Sequence, residues 1–127
     1  MTQPFNLAST FVHLKDGGDA EVVKLTPAFW RSGKHTHDRL VGVFEFRSAE
    51  DLHPSLQEMH PEADELLFLV SGAIDLIVEE SDGERIVSVH TGEAAIVPRG
   101  MWHRLVMREP GKLLFINSRT GMRSRHT

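Results

Sequence analysis

The chain has 127 residues, of which 40% are hydrophobic and 25% are charged, with a net charge of −4 and no cysteine. This length and composition fit a single globular domain over residues 1–127, and the missing cysteines exclude disulfides and thiolate metal sites. The negative charge argues against a nucleic-acid-binding protein, which would carry a basic stripe. Because no apolar run approaches the roughly 20 residues of a membrane span, and residues 1–4 lack the features of a secretory signal, we expect a cytoplasmic protein with no membrane attachment.

The predicted elements are short strands separated by turns. Residues 48–52 can form one short helical turn, and no longer helix is indicated. Asp82 and Gly83 predict a tight hairpin, because both residues accept a positive φ. Pro110 and Gly111 predict a turn before the last strand. Strands are predicted at residues 41–46, 65–70, 73–79, 85–89, 94–97, 103–107 and 112–116. Many short strands with closely spaced turns are typical of a β-sandwich or barrel.

The strand predicted at residues 65–70 is apolar on both faces after its first residue. Leu67 and Leu69 share a face with Glu65, since side chains alternate along a strand. The opposite face carries Leu66, Phe68 and Val70. Such a strand needs cover on both faces. A second sheet, the N-terminal segment or a partner subunit could provide the outer cover.

Side chains suited to metal binding occur in two separate segments. Glu58 and His60 point the same way if their segment is extended. A short bend can then return the chain so that Glu65 faces the same interior. His103 begins another predicted strand after a Pro98-x-Gly100 turn. Two imidazole nitrogens and two carboxylates suit one divalent transition metal, at roughly 2.0–2.2 Å from each ligand atom.

These two segments resemble the two motifs of the cupin superfamily. In the first motif His60, Glu65 and Gly72 match the second His, the Glu and the Gly. Glu58 stands where the first His is usual. The second motif matches at Gly92, Pro98, Gly100 and His103. The motifs cover residues 58–107 and imply a small single-domain cupin, an all-β double-stranded β-helix or jelly-roll barrel.

The resemblance implies a metal centre with Glu58, His60, Glu65 and His103 as its ligands. The oxygen ligands favour Mn²⁺ or Fe²⁺, while Ni²⁺ and Zn²⁺ remain open. Whichever of the two glutamates does not bind tightly could act as a general acid or base. Cupins include isomerases, dioxygenases, decarboxylases, lyases, sugar-binding modules and storage proteins, so the fold does not define the function.

The function expected from this resemblance is that of a small metal-dependent enzyme of the isomerase, dioxygenase or lyase type. Its substrate would be a small oxygenated molecule, anionic or polyhydroxylated. The alternative is a non-catalytic module that binds a small molecule or a metal, and a barrel without metal is a third interpretation. Single-domain cupins often dimerise through the outer face of a strand like that at residues 65–70, so the resemblance implies a homodimer.

Several charged residues keep a second interpretation. Glu65 could be a barrel-rim carboxylate paired with Arg99 or Arg104, and Glu58 could be a solvent-exposed acid. Arg99, Arg104 or Lys34 could bind the charge of an anionic ligand. Residues 118–127 form a small basic C-terminal tail, expected to be solvated or covered by a partner.

The remaining histidines and aromatic residues carry weaker signals. His35 and His37 form a second His-x-His pattern without a Glu and Gly at motif spacing downstream. A surface loop or edge strand is expected there, with a lid or second metal site as the alternative. Phe29 and Trp30 could pack over the barrel or in an interface. Trp102 is expected to pack near the barrel rim, with stacking on a substrate as the alternative.

Overall fold

The computed structural model describes residues 2–24, 26 and 39–127, and His35, His37, Lys34, Phe29 and Trp30 lie outside them. The described residues form nine strands and one short 3₁₀ helix, Ala49–Leu52, which confirms the predicted helical turn. The strands are β1 Thr10–Leu14, β2 Ala20–Lys24, β3 Arg39–Phe46, β4 Leu56–Met59, β5 Glu65–Glu80, β6 Gly83–His90, β7 Ala94–Val97, β8 His103–Ser118 and β9 Arg123–His126. The predicted all-β fold is therefore confirmed.

Two long antiparallel strands, β5 and β8, connect the two halves of the barrel, and each contains 16 residues. Residues 66–69 of β5 pair with residues 113–116 of β8, whereas residues 73–78 pair with residues 103–109. The register shifts between these two regions. One half has the strand order β2-β1-β3-β8-β5-β7, and the other has β6-β5-β8-β4-β9.

The prediction of a chain-reversing turn at Pro110 and Gly111 was wrong, because both residues lie inside β8. The strands predicted at residues 103–107 and 112–116 are continuous. This region of β8 lies against the register shift of β5. There Gly72 has φ +93°, and a Cβ on it would lie 2.6 Å from the Pro110 carbonyl oxygen. A Cβ on Gly111 would overlap the carbonyl oxygen of Ser71. Both glycines therefore allow the two backbones to touch.

The core lies between the two halves of the barrel. Its fully buried side chains include Phe46, Leu69, Ile74, Leu76, Val97 and Leu113. Leu67 and Leu69 are buried, as expected for the inner face of β5. The hairpin predicted at Asp82 and Gly83 is confirmed, since β5 and β6 pair up to Glu80 and Gly83, but of the two residues only Gly83 has a positive φ. Burial of these apolar side chains stabilises the fold by about 25 cal/mol for each Å² removed from water.

The outer face of β5 remains partly uncovered by the described residues. Leu66 and Phe68 are half-buried, while Val70 is 42% exposed. Ile96 of β7, the neighbour of Leu66 in the sheet, is 64% exposed. The cover expected on this face is thus incomplete, and the homodimer stays a prediction.

The basic tail contains a strand that was not predicted: Arg123–His126 form β9, and all four of its residues are exposed. This strand pairs with β4 from Leu56 to Met59. Arg125 lies 4.0 Å above the Trp102 ring, and its Nη2 is 2.6 Å from Glu79. β9 thus supplies the hydrogen-bonding partner that β4 needs on this side, and Trp102 packs near the rim as expected. Among the described residues, no helix has the length and apolar character needed to cross a bilayer.

Candidate metal centre

The four predicted ligands lie in one region because they are carried by the ends of strands β4, β5 and β8. Glu58 is on β4 and lies directly opposite His103, the first residue of β8. His60 follows the end of β4, and Glu65 begins β5 after the predicted bend. The pairing of β4 with β8 therefore joins two segments that are more than forty residues apart in the sequence.

Backbone hydrogen bonds hold these two segments together. The Gly100 N–H donates to the His60 carbonyl oxygen at 2.9 Å, and Gly100 has φ +81°. The Arg99 N–H donates to Asp64 Oδ1 at 2.9 Å. The turn at residues 98–100 thus docks onto the bend that follows His60. As a result the His60 and His103 rings lie 5.7 Å apart between centroids.

His60 is oriented as a metal ligand would be. It is buried, with only 3% of its surface exposed. Its Nδ1 lies 2.9 Å from the Ser118 carbonyl oxygen, which can only accept, so Nδ1 carries the proton. Nε2 then presents a lone pair, and it is buried without a hydrogen-bond partner among the described residues. A buried polar atom without a partner is costly and calls for an explanation, and a bound cation would provide one.

His103 presents its Nε2 to the same region. Its Nδ1 is 3.3 Å from the Met101 carbonyl oxygen, and its Nε2 is 2.9 Å from Glu65 Oε1. With Nδ1 donating to a carbonyl, Nε2 can face a carboxylate only if a proton or a metal ion lies between them. Burial lowers the pKa of His103, but the hydrogen bond and negative charge of Glu65 outweigh burial and raise the pKa.

Glu65 is a buried carboxylate between the two imidazoles. Its Oε2 accepts a 2.7 Å hydrogen bond from Asn117 Nδ2 and lies 3.5 Å from His60 Nε2. Burial raises the pKa of Glu65, but the His103 hydrogen bond, the positive charge that each imidazole carries when protonated and the Asn117 bond together bring the pKa below its usual value. The carboxylate is therefore ionised at neutral pH.

The alternative arginine partners of Glu65 lie elsewhere. Arg99 is 3.8 Å from Asp64, and Arg104 is 3.9 Å from Glu84. The alternative interpretation, a barrel-rim pair between Glu65 and either arginine, is therefore wrong. Glu65 is directed inward because it begins β5 on the face that carries Leu67.

Glu58 completes a three-residue group with the histidines. Its side chain is 48% exposed, and its Oε2 lies 4.0 Å from His60 Nε2. One ligand atom from each of Glu58, His60 and His103 lies within 4.8 Å of the other two. This group could hold a metal ion, because its donors are two imidazole nitrogens and a carboxylate oxygen. Glu65 adjoins it through its contacts with both imidazoles.

A cavity of about 550 Å³ opens beside this group. Glu58, Glu65 and His103 line it, together with Asn117 and Arg119. Burial lowers the pKa of Arg119, although the charges of Glu58 and Glu65 offset part of the effect. A guanidinium remains protonated nonetheless. A small molecule in the cavity would therefore meet the candidate ligands and a cation together.

A model of the cupin domain family matches residues 48–117, which are more than half of the chain. The chain belongs to the cupin family. The match covers the 3₁₀ helix and the segments that carry Glu58, His60, Glu65 and His103. It confirms the resemblance drawn from the two motifs. No curated protein is similar enough in sequence to match this cupin.

Solved structures share the fold of this cupin. An uncharacterized conserved protein with a double-stranded β-helix domain from Klebsiella pneumoniae subsp. pneumoniae MGH 78578 has a TM-score of 0.56 and 16% identity, over 75% of this chain and 81% of that chain. A cupin superfamily protein from Desulfitobacterium hafniense DCB-2 has a TM-score of 0.51 and 16% identity, over 63% of this chain and 66% of that chain. At these identities the likeness shows a common fold alone.

Asn117 was not among the site residues predicted for this cupin, and Ser118 and Arg119 were predicted only as part of the basic C-terminal tail. They directly follow the apolar strand predicted at residues 112–116. The sequence offers one indication, the alternation of side chains along a strand, which places Asn117 on the same face as Leu113 and Phe115. This alternation shows that Asn117 faces inward only when the partners of the strand are known.

Proposed function

We propose that this cupin is a small metal-dependent enzyme of the isomerase, dioxygenase or lyase type, acting on a small oxygenated molecule. The observation that carries the proposal is the buried Nε2 of His60, which has no hydrogen-bond partner among the residues that the structure describes. It faces the same region as Nε2 of His103, next to the carboxylates of Glu58 and Glu65. This donor set fits a divalent ion, with Mn²⁺ or Fe²⁺ favoured and Ni²⁺ or Zn²⁺ possible.

The surrounding residues suit such a role. When bound, a divalent ion supplies Lewis acidity toward a carbonyl, enolate or water oxygen, and Fe²⁺ adds oxygen chemistry. Asn117 and Ser118 fix the orientations of Glu65 and His60 through hydrogen bonds. Such supporting hydrogen bonds orient the ligands of metal sites. Glu58, which is half-exposed at the cavity, can exchange a proton with substrate or water as a general acid or base.

An enzyme is favoured over a non-catalytic binding module because the candidate ligands adjoin a cavity. Glu58, Glu65 and His103 all line it, so a substrate could reach a coordination position. A storage or structural site would instead enclose its ion without such space. We propose in addition a cytoplasmic homodimer that covers the outer face of β5 around Val70 and Ile96.

Metal content tests the proposed site. The protein, purified without chelators or a polyhistidine tag, is expected to contain one metal ion per chain by elemental analysis. His60→Ala and His103→Ala should each abolish this content, because each removes an imidazole ligand. His90→Ala is the matched control, since His90 is exposed and pairs with Glu93. Full metal content in both site variants would overturn the assignment.

Water access separates an enzyme from a closed binding module. In the Mn²⁺-loaded protein, the relaxation rate of water protons should be enhanced, because an exchanging water would occupy the open coordination position. A small carboxylate such as phenylacetate or gluconate should reduce this enhancement, because a ligand in the cavity would displace the exchanging water. A metal-loaded protein without enhancement would support the non-catalytic module instead.

A further inference from the structure

The cavity beside the candidate centre changes from polar to apolar along the three strands that carry Glu58, Glu65 and His103. On β5, Glu65 is followed on the same face by Leu67. On β4, Glu58 lies two residues from Leu56, and all four side chains line the cavity. Residues two apart on a strand share a face and are separated by roughly 6–7 Å. Each of these strands therefore contributes one polar side chain to the cavity and one apolar side chain further along it.

The two halves of β8 repeat this arrangement. His103 is followed on its face by Leu105, and Asn117 is preceded by Phe115; all of them line the cavity. Leu67 of β5 pairs in register with Phe115, which puts two apolar side chains at the same level. The cavity thus has a polar end, at the candidate metal centre, and an apolar end.

The apolar end is walled largely by aromatic and aliphatic side chains. Phe11 packs edge to face on Phe115 with ring centroids 5.8 Å apart, and Phe44 lies 6.1 Å from the same ring. The other apolar lining residues there are Val43, Leu52 and Leu113. Glu45, Asp51, His53 and Lys112 also line the cavity, but they are exposed residues. A hydroxyl group at the apolar end would lose its hydrogen bonds to water without replacement, which is unfavourable.

The polar end carries the charge for an anion. Two carboxylates, Glu58 and Glu65, would balance one divalent ion. Arg119 lines the same cavity as the two carboxylates and brings a positive charge to it, as does Arg104. A guanidinium binds a carboxylate through two parallel hydrogen bonds. The charge of a single carboxylate on the ligand would therefore be matched at this end.

We infer that the cavity takes an amphipathic monocarboxylate, with its carboxylate held by Arg119 beside the metal and its apolar body against Phe44 and Phe115. This inference rests on the proposed metal site and specifies the substrate class for it. Of the two ligand types expected from the sequence, anionic and polyhydroxylated, this inference favours the anionic one. Arg119 is then a specificity-determining residue.

Isothermal titration calorimetry on the metal-loaded protein tests the inference with three probes. Phenylacetate has both the carboxylate and the apolar ring, phenethyl alcohol lacks the charge, and gluconate lacks the apolar body. Phenylacetate is expected to bind about tenfold more tightly than either of the others, since a charge-assisted bond and an apolar ring each contribute at least that factor. Gluconate binding as tightly as phenylacetate would overturn the inference.

Substitution of Arg119 tests its role. Arg119→Gln should weaken phenylacetate binding about tenfold and leave phenethyl alcohol binding unchanged, whereas Arg119→Lys should retain part of the phenylacetate affinity. Arg85→Gln is the matched control, because Arg85 is exposed on β6 and does not line the cavity. Unchanged phenylacetate affinity in both Arg119 variants would contradict the inference.

Metal analysis of the same samples distinguishes the two failures. One metal ion per chain without a preference for phenylacetate overturns the substrate class and leaves the metal site standing. Protein that binds no metal overturns the proposed function, and the inference falls with it.

Discussion

At the scale of single residues, hydrogen bonds determine which atoms of the candidate centre are free to bind a cation. Ser118 holds the His60 ring through Nδ1, and Asn117 holds one oxygen of Glu65. The Met101 carbonyl lies 3.3 Å from Nδ1 of His103. Each of these contacts uses one polar atom of the side chain, so that the other polar atom is directed into the site. The orientation of the centre therefore depends on residues that need not touch the metal.

Asn117→Ala should lower metal affinity by about 10- to 100-fold, because Glu65 loses the bond that orients it. The free energy of unfolding should fall by about 1–3 kcal/mol, since a buried carboxylate is left with fewer donors. The measurements are metal titration by competition with a chelator and urea unfolding.

Ser88→Ala is the control for this change. It removes a comparable 3.0 Å hydrogen bond to the carboxylate of Asp75, which does not line the cavity. It should affect stability by about 1 kcal/mol and leave metal affinity unchanged. Equal metal affinities of the Asn117 and Ser88 variants would contradict the orienting role.

The pH dependence of metal binding follows from the raised pKa of His103. A metal can bind Nε2 only after the proton leaves, so binding weakens as pH falls through this pKa. Because the pKa is raised, the loss should begin at a higher pH than for an ordinary imidazole. Glu65 stays ionised over this range, since its pKa is lowered. Affinity should fall about tenfold per pH unit below the His103 pKa; a flat profile from neutral to mildly acidic pH would refute this account.

At the scale of elements, the barrel depends on the contact between β5 and β8. These strands run through both halves, so their pairing determines how the segment with Glu65 faces the segment with His103. Between the two paired regions, the backbone of Gly111 lies against that of Ser71. Both strands change register in the same region.

Gly111→Ala should lower the free energy of unfolding by about 2–4 kcal/mol, because the added Cβ overlaps backbone atoms that cannot rotate away. Gly17→Ala is the matched control, as a Cβ at Gly17 meets no atom within 4 Å. That change should stay within about 0.5 kcal/mol. Urea unfolding measures both, and equal midpoints would show that the strand contact is not tight.

At the scale of the whole molecule, the sequence predicts what depends on local pattern. The motif residues Glu58, His60, Glu65 and His103 could be placed together because strand alternation and two turns bring them into one barrel. The hairpin at Gly83 followed from backbone preference. These features require little knowledge of which strands pair.

Features that depend on long-range pairing were not predictable in the same way. Pro110 and Gly111 favour a turn locally, but β8 pairs with β5 on both sides of them, and Gly111 pairs with Phe46 of β3. Arg123–His126 lack an apolar pattern, and only the free side of β4 makes them a strand. Arg119 reaches the cavity because of the register of β8, which sequence alone does not give.

The most direct measurement is an anomalous difference map from crystals of the Mn²⁺-loaded protein. One peak is expected roughly 2.0–2.2 Å from Nε2 of both His60 and His103. The oxygens of Glu58 and Glu65 should face the same peak. A peak elsewhere, or imidazoles of the metal-loaded protein that point away from a common position, would contradict the metal centre.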